Sequence, residues 1–315
     1  NVSSPKAVII TPPGNMSFRY NLFDLSVEIG SGNSGAIAVD YIVNNRGSIE
    51  NVNIVSTDAY VGLDMTRQWP GPCLIKNVTI EGFSYGIRLA QGEYGPTYDH
   101  ITLRNQRTAG WKIDGNIPAI YNLTSVNTVP AILQTAGMMI LVKADLKTPN
   151  NQAVTGPAIE IRNDSTYAYL RDVSATGYSS VLNNKGVTVS QNPITEYSTN
   201  KAHKSLFGDP WGSLKLEIKD APDFHDNDTS KWVCSKDFRE PLVPGGKEYV
   251  SFRKAMEYAA ANGKTTVYAQ LQGENAHPLP EGDVVIPPQI KKIIGFNCKI
   301  EPDDFKRTRL IVSDN

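Results

Sequence analysis

From Leu22 to about Ala175 one short pattern keeps returning, and it limits the folds open to this chain more than any other feature. Read as six-residue windows, it gives Leu22-Phe23-Asp24-Leu25-Ser26-Val27, Ile49-Glu50-Asn51-Val52-Asn53-Ile54, Ile75-Lys76-Asn77-Val78-Thr79-Ile80 and Tyr98-Asp99-His100-Ile101-Thr102-Leu103, with weaker copies from Ile120, Leu141 and Leu170. The starts are separated by 27, 26, 23, 22, 21 and 29 residues. A second series begins at Gly35, Gly62, Gly86, Gly110, Ala131 and Ala158, with steps of 27, 24, 24, 21 and 27. Two series in step, each turn holding short β-rich runs and no helical pattern, are the signature of a stacked solenoid. The expected fold class is therefore all-β, a right-handed parallel β-helix. Leucine-rich repeats share the period, but their helix-bearing half and fixed Leu spacing are missing.

In such a stack each turn lies about 4.8 Å from the next, so equivalent residues form ladders. The third window position holds Asn51, Asn77, His100, Asn122, Lys143 and Asp172, which predicts a polar ladder at a corner where side-chain amides bond from turn to turn. In the second series, strand alternation sends Leu63, Met65, Ile87, Leu89, Trp111, Ile113, Ile159 and Ile161 inward. It leaves Asp64, Arg88, Lys112, Leu133 and Glu160 in one outward ladder, with Asp114 on the same face. Parity places Trp111 in the core.

Three regions are expected: a β-helix over 1–180, a connecting segment over 181–231, and over 232–315 a cap helix with the first turns of a second β-helix. The connecting segment reads as Ser, Asn, Lys and Pro, and its aromatics suggest that it packs against something. Beyond Trp232, the residues Tyr249, Phe252, Met256 and Ala259 recur at helical steps before Gly263, which predicts an amphipathic helix from about Glu248 to Asn262. Strands are expected at Thr265–Tyr268, Val284–Ile286 and Lys292–Ile294. A unit this small needs support, either from the first β-helix through Trp232, Phe238 and Phe252, or from chain beyond Asn315. The abrupt start, one strand at Ala7–Ile10 with no cap helix before the first repeat, likewise suggests missing upstream sequence or a covering chain.

Composition narrows the function classes. With 31 Lys and Arg against 32 Asp and Glu, the net charge is −1, and no basic cluster interleaves with aromatics, so nucleic acid is not the expected partner. No apolar run is long enough to span a membrane. Three cysteines, Cys73, Cys234 and Cys298, are too few for a disulfide framework and lack metal-ligand spacing, and buried free thiols are expected. The four histidines, His100 in the corner ladder and His203, His225 and His277 in loops, suggest neither a zinc site nor a catalytic triad. Asn-X-Ser/Thr sequons point weakly to an extracellular, periplasmic or cell-surface location, although Asn77 and Asn122 sit in the corner ladder where a glycan would not fit.

The run Gly62-Leu63-Asp64-Met65-Thr66-Arg67-Gln68-Trp69-Pro70-Gly71-Pro72-Cys73-Leu74-Ile75-Lys76-Asn77, continuing through Glu81–Arg88 and Leu103–Gln106, resembles the pectate-lyase-superfamily β-helix proteins related to polygalacturonase-type glycoside hydrolases. Similar tandem β-helices occur in the exo-β-1,3-glucanases. The resemblance is densest from about 35 to 180 and implies a polysaccharide substrate. The family's second helix opens with Gly-Asp-Gly and Asp-Asp-Thr-Ala patterns, for which Pro244-Gly245-Gly246-Lys247-Glu248-Tyr249 stands here. The acid expected on that second helix in the glucanases lies beyond this chain, so no glucanase catalytic residue is carried over.

Segments just past the second-series strands add Arg67, Trp69, Glu93 and Tyr94 to the outward ladder, so acids, bases and aromatics converge on one flank. Trp69, in a loop between Gln68 and Pro70, is expected to be exposed. Asp64 beside Arg88 also has a plain reading, a cross-turn ion pair on a solvated sheet. Hydrolysis of a glycosidic bond needs two carboxyl groups, about 5 to 5.5 Å apart for retention and roughly 6.5 to 9.5 Å for inversion. Asp64 and Glu160 are four turns apart and fail. Glu93 and Asp114, on neighbouring turns, are candidates for acid and base in an inverting hydrolase, with Asp64 as a further carboxylate and Arg67, Trp69, Arg88, Tyr94 and Lys112 as substrate-binding groups. No cofactor is expected. Two rivals stand beside this reading: a uronic-acid lyase with Lys112 or Arg88 as base and Ca²⁺ as cofactor, and a non-catalytic structural or adhesive β-helix that forms homo-oligomers or stacks on a continuing second β-helix.

Overall fold

A computed structural model describes residues 3–199, 213–220, 224, 228–241, 243–269, 277–279, 282–295, 300–302 and 308–312. The chain divides into two compact units, Asn1–Leu214 and Lys215–Asn315.

The first unit is a parallel β-solenoid whose strands alternate between two sheets. One sheet holds β1 (Lys6–Ile10), β3 (Ala36–Asp40), β5 (Val61–Met65), β7 (Tyr85–Ala90), β9 (Ala109–Asp114), β11 (Ile132–Ala136), β13 (Ile159–Ile161), β15 (Leu182–Asn184) and β16 (Val187–Val189). The other holds β2 (Asn21–Ile29), β4 (Gly47–Ser56), β6 (Cys73–Glu81), β8 (Thr97–Arg104), β10 (Ala119–Val126), β12 (Met138–Lys147), β14 (Tyr167–Thr176) and β17 (Ile194–Ser198). Neighbours from β1 to β15 and from β2 to β14 pair in parallel. The last strands break that rule: β16 runs antiparallel to β15, and β17 antiparallel to β14. Residues 182–198, expected in the connecting segment, thus add to the sheets, and Ile194 is fully buried there.

The second sheet is bent at one residue per strand. Asp24, Asn51, Asn77, His100, Asn122, Lys143 and Asp172 all have positive φ, between 52° and 62°. A single left-handed residue turns an extended chain through a sharp corner, and short amides tolerate that conformation best among non-glycines. It gives the solenoid its third face. The expected amide ladder is real at its start: Asn51 Nδ2 donates to Asp24 Oδ1 at 2.8 Å and Asn77 Nδ2 to Asn51 Oδ1 at 3.1 Å. At the next rung, His100 Nδ1 lies 2.6 Å from Asp99 Oδ1.

Inside, the alternation predicted from the sequence holds. Leu63, Met65, Ile87, Leu89, Trp111, Ile113, Ile159 and Ile161 are at most 1% exposed and form one core with Val52, Ile54, Ile75, Ile80, Ile101 and their equivalents. Each large aliphatic removed from water contributes about 1.5–3 kcal/mol, so the stack is held by its interior. Tyr98 and Trp111 meet edge-to-face at 4.4 Å within it. The small residues of the second series have a steric cause: a Cβ on Gly62 would lie 2.4 Å from Ile80 Cγ2, and one on Gly86 2.6 Å from the Gly110 carbonyl oxygen. One alignment needs correction. The register matches Ile37 with Val61 and Val39 with Leu63, so Ala38, not Gly35, is the first member of that series, the extra residues lying in the loop before β3.

The second unit carries short parallel ladders: β18 (Trp232–Cys234), β21 (Thr266–Tyr268) and β24 (Lys292–Ile294) in one sheet, β22 (His277–Leu279) with β25 (Ile300–Pro302), and β23 (Gly282–Ile286) with β26 (Thr308–Val312). This puts His277 in a strand, not the expected loop. Helix α1 spans Phe252–Ala261, shorter than predicted from the sequence. Glu248–Val250 (β20) is drawn instead into an antiparallel pair with Arg239–Pro241 (β19). Ser251 then caps α1, its hydroxyl accepting from the Lys254 amide at 3.0 Å. Phe252, Ala255, Met256 and Ala259 face Val233, Val267 and Val284 in this unit's own core, with Phe238 packed against it.

Candidate functional site

Each strand of the first sheet sends one side chain outward at the same level, and the register reads Ile10, Asp40, Asp64, Arg88, Lys112, Leu133, Glu160 and Asn183. The ladder predicted from Asp64 to Glu160 is present in that order. It also contains an acid that the sequence reading missed. Asp40 stands next to Asp64 on the preceding turn, so the two carboxylates are separated by one strand spacing of about 4.8 Å at the backbone.

Both acids are largely covered, with side chains 14% and 7% exposed, and each has a guanidinium. Arg67 Nε donates to Asp40 Oδ1 at 2.6 Å, while its Nη2 donates to the Thr11 and Asp40 carbonyls at 3.0 and 3.2 Å. Arg88 Nη1 lies 3.7 Å from Asp64 Oδ2, and its guanidinium sits over the rings of Tyr60 and Tyr85 at 5.6 and 5.8 Å. Asp64 Oδ1 also accepts from the Thr66 amide at 3.1 Å. Burial pushes the Asp40 carboxyl above its ordinary range, with Asp64 adding to the rise, and the Arg67 contact only partly offsets this.

Further along, Lys112 Nζ and Asp114 Oδ2 are 2.7 Å apart, and the Thr135 hydroxyl also donates to Asp114. Burial acts to raise the Asp114 carboxyl, but these two hydrogen bonds and the charges of Lys112 and Arg88 together hold it below its usual value. Glu160 pairs with Arg162 at 2.8 Å. Asp64 and Glu160 are four register steps apart, as expected.

The strands end at corner loops that hold the remaining candidates. Trp69 lies in the loop between β5 and β6 with φ 67°. It is half-buried, less open than expected. Glu93 and Tyr94 occupy the exposed loop between β7 and β8, Tyr94 with φ 62° and half its surface open. Asn116, itself 2% exposed, ties that loop down from the next turn: its Nδ2 donates to the Gln91 carbonyl at 2.7 Å and lies 3.4 Å from the carbonyls of Glu93 and Tyr94. Asp114 is in register with Ala90, three residues before Glu93, so Glu93 and Asp114 share one corner.

Among the described residues, no three histidines, cysteines or acids come together as a metal-holding group, and no helix is long and apolar enough to cross a membrane. Cys73 and Cys234 are free thiols; Cys298, His203 and His225 lie outside the described residues. No family model matches this chain, and no curated protein matches it.

Proposed function

We propose that this chain is a polysaccharide-cleaving glycoside hydrolase resembling the pectate-lyase superfamily, working on the outward ladder of the first sheet. The observation that carries the reading is the in-register pair Asp40 and Asp64. Hydrolysis of a glycosidic bond calls for two neighbouring carboxyl groups, and the register sets Asp40 and Asp64 side by side on adjacent turns of a rigid sheet. Asp40, raised by burial, suits the proton donor. Asp64, which accepts a hydrogen bond from the Thr66 amide and lies next to Arg88, takes the partner role. Glu93 and Asp114 form a second candidate pair one corner away, in which Asp114, held ionised by Lys112, would serve as base. Arg67, Arg88, Lys112, Trp69 and Tyr94 would grip the sugar chain, and export from the cytoplasm fits a polymeric substrate.

Release of new reducing ends from a soluble β-glucan, a pectin and a rhamnose-containing polymer tests this directly. Loss of one acid-base group lowers such a rate by about 10²–10⁴-fold, so Asp64→Asn and Asp40→Asn should each fall in that range. Equal rates in wild type and both variants would remove this pair, and Glu93→Gln then tests the other.

A second reading, a glycan-binding or structural β-helix without chemistry, is favoured by one observation. Every carboxylate of the ladder, and Asp114 on the same face, is already matched by a cation: Asp40 by Arg67, Asp64 by Arg88, Glu160 by Arg162 and Asp114 by Lys112. Binding without cleavage of all three polymers would decide for it. The lyase reading has a separate signature, an ultraviolet absorbance rise on a uronic-acid polymer with added Ca²⁺.

A further inference from the structure

The corner between the first and second sheets carries an exposed apolar side chain on four successive turns. Tyr94, in the loop between β7 and β8, is the first. Ile117, Met138 and Tyr167 continue the line. Their alignment follows from the register, which matches Ala119 with Ile140 and Ile140 with Tyr169, and Met138 directly with Tyr167. The ladder extends one step outside the strands, since Met138 N–H donates to the Asn116 carbonyl at 2.9 Å and Ile140 N–H to the Pro118 carbonyl at 3.0 Å. Ile117 therefore stands level with Met138. On the other side, a Cβ on Gly95 would lie 2.3 Å from the Ile117 carbonyl oxygen, so the Tyr94 loop rests directly on Ile117.

These side chains are open to solvent: Tyr94 50%, Ile117 47%, Met138 37% and Tyr167 39%, with Ile140 beside them at 39%. Single exposed apolar residues are ordinary, but a contiguous row is not. Its backbone is also set deliberately. At its start Tyr94, and Asn116 on the next turn beneath its loop, have φ of 62° and 94°, a region that costs a non-glycine residue on the order of 1 kcal/mol and persists only where the surroundings enforce it.

We propose that this row is a binding rail for one glycan strand lying along the solenoid axis, running from the Tyr94 loop over the next three turns beside the outward ladder. The occupant follows from the surroundings. The rail rises about 4.8 Å per turn, close to the advance of one sugar ring in an extended chain, and tyrosine rings meet the apolar faces of sugars while their hydroxyls reach the rim. The same turns that carry the rail carry Lys112, Asp114, Glu160 and Arg162 immediately before the corner, so a strand on the rail has its hydroxyl edge towards polar partners. This inference rests on the polysaccharide reading but not on catalysis.

The test is affinity electrophoresis of the full chain in gels containing a soluble β-glucan, a pectin or a rhamnose-containing polymer. Tyr167→Ala and the double variant Ile117→Ser with Met138→Ser alter exposed positions, and their thermal unfolding should match the wild type. Retardation of the wild type by one polymer, weakened about tenfold in each variant, supports the rail, whether or not the polymer is cleaved. Lys147→Ser, at the far end of β12, serves as the control and should bind as the wild type does. Wild-type affinity in the rail variants overturns the proposal, as does retardation by none of the three polymers. Binding with no new reducing ends would leave the rail standing and remove the hydrolase. Self-association in light scattering that Ile140→Lys abolishes, without glycan binding, would assign the row to a second copy and overturn the rail.

Discussion

Arg67 reaches back across 27 residues of chain to Asp40, with Nε and Oδ1 2.6 Å apart, and closes one turn of the solenoid onto the ladder of the turn before. The same guanidinium holds two backbone carbonyls, of Thr11 and Asp40. Removing it strands a carboxylate that is already short of water. Arg67→Ala should therefore cost about 1–3 kcal/mol. The loss should grow as pH rises, because Asp40, raised by burial, then loses the one contact that opposes the rise and must ionise unpaired. Denaturant unfolding at pH 5 and pH 8 measures both, and an unchanged midpoint would show that the pair is idle.

Asp114 has the opposite sign. Its folded carboxyl lies below the ordinary 3.8, so the stability it contributes is complete above that value and is lost as pH falls through the folded pKa. Wild type should lose stability between about pH 5 and the acid limit more steeply than Asp114→Asn. Parallel slopes for the two proteins over that window would refute the contribution.

Lys143 occupies the left-handed corner position, φ 62°, that its neighbours fill with short polar side chains. Lys143→Asn should relieve backbone strain and offer an amide to Asn122 below, raising stability by roughly 0.5 kcal/mol after the loss of the Lys143 contact over Tyr121, at 5.5 Å. Asn77→Ala should act the other way by about 1 kcal/mol, through strain and the lost bond to Asn51. Thermal midpoints of the two variants on opposite sides of the wild type are the expected result.

Burial pushes the Cys73 thiol up to about 12. At pH 8 almost none of it is thiolate, so an alkylating reagent should leave it unmodified in the folded protein and label it on unfolding. Peptide mapping after a short iodoacetamide pulse reads this out. Prompt native labelling of Cys73 would show that the corner at Gly71-Pro72 opens readily.

Much of this architecture is written in local periodicity. The inward set from Leu63 to Ile161, the core position of Trp111 and the polar corner from Asn51 to Asp172 follow from two facts of the chain: alternation along a strand and recurrence from turn to turn. Both are physical constraints on every repeat, because an apolar residue out of phase would face water and a bulky residue at the corner would be strained. The helix at Phe252–Ala261 was legible for the same reason, while its start was not. Whether Glu248–Val250 coils or extends depends on Arg239–Pro241 being there to pair with it.

The candidate site was legible only in part. Asp64, Arg88 and Lys112 could be ordered because their turns repeat every 24 residues. Asp40 was hidden by a series begun at Gly35, whereas a start at Ala38 gives three equal steps of 24 residues to Gly62, Gly86 and Gly110. That shift was the available signal. The partners of the ladder were not readable at all: Arg67 on Asp40, Thr135 on Asp114 and Asn116 under the Tyr94 loop join residues 21 to 27 apart through loops of unequal length. Periodicity specifies which face a residue takes. Only the stacked register, which fixes how far each loop overhangs the next turn, decides which side chains on that face meet.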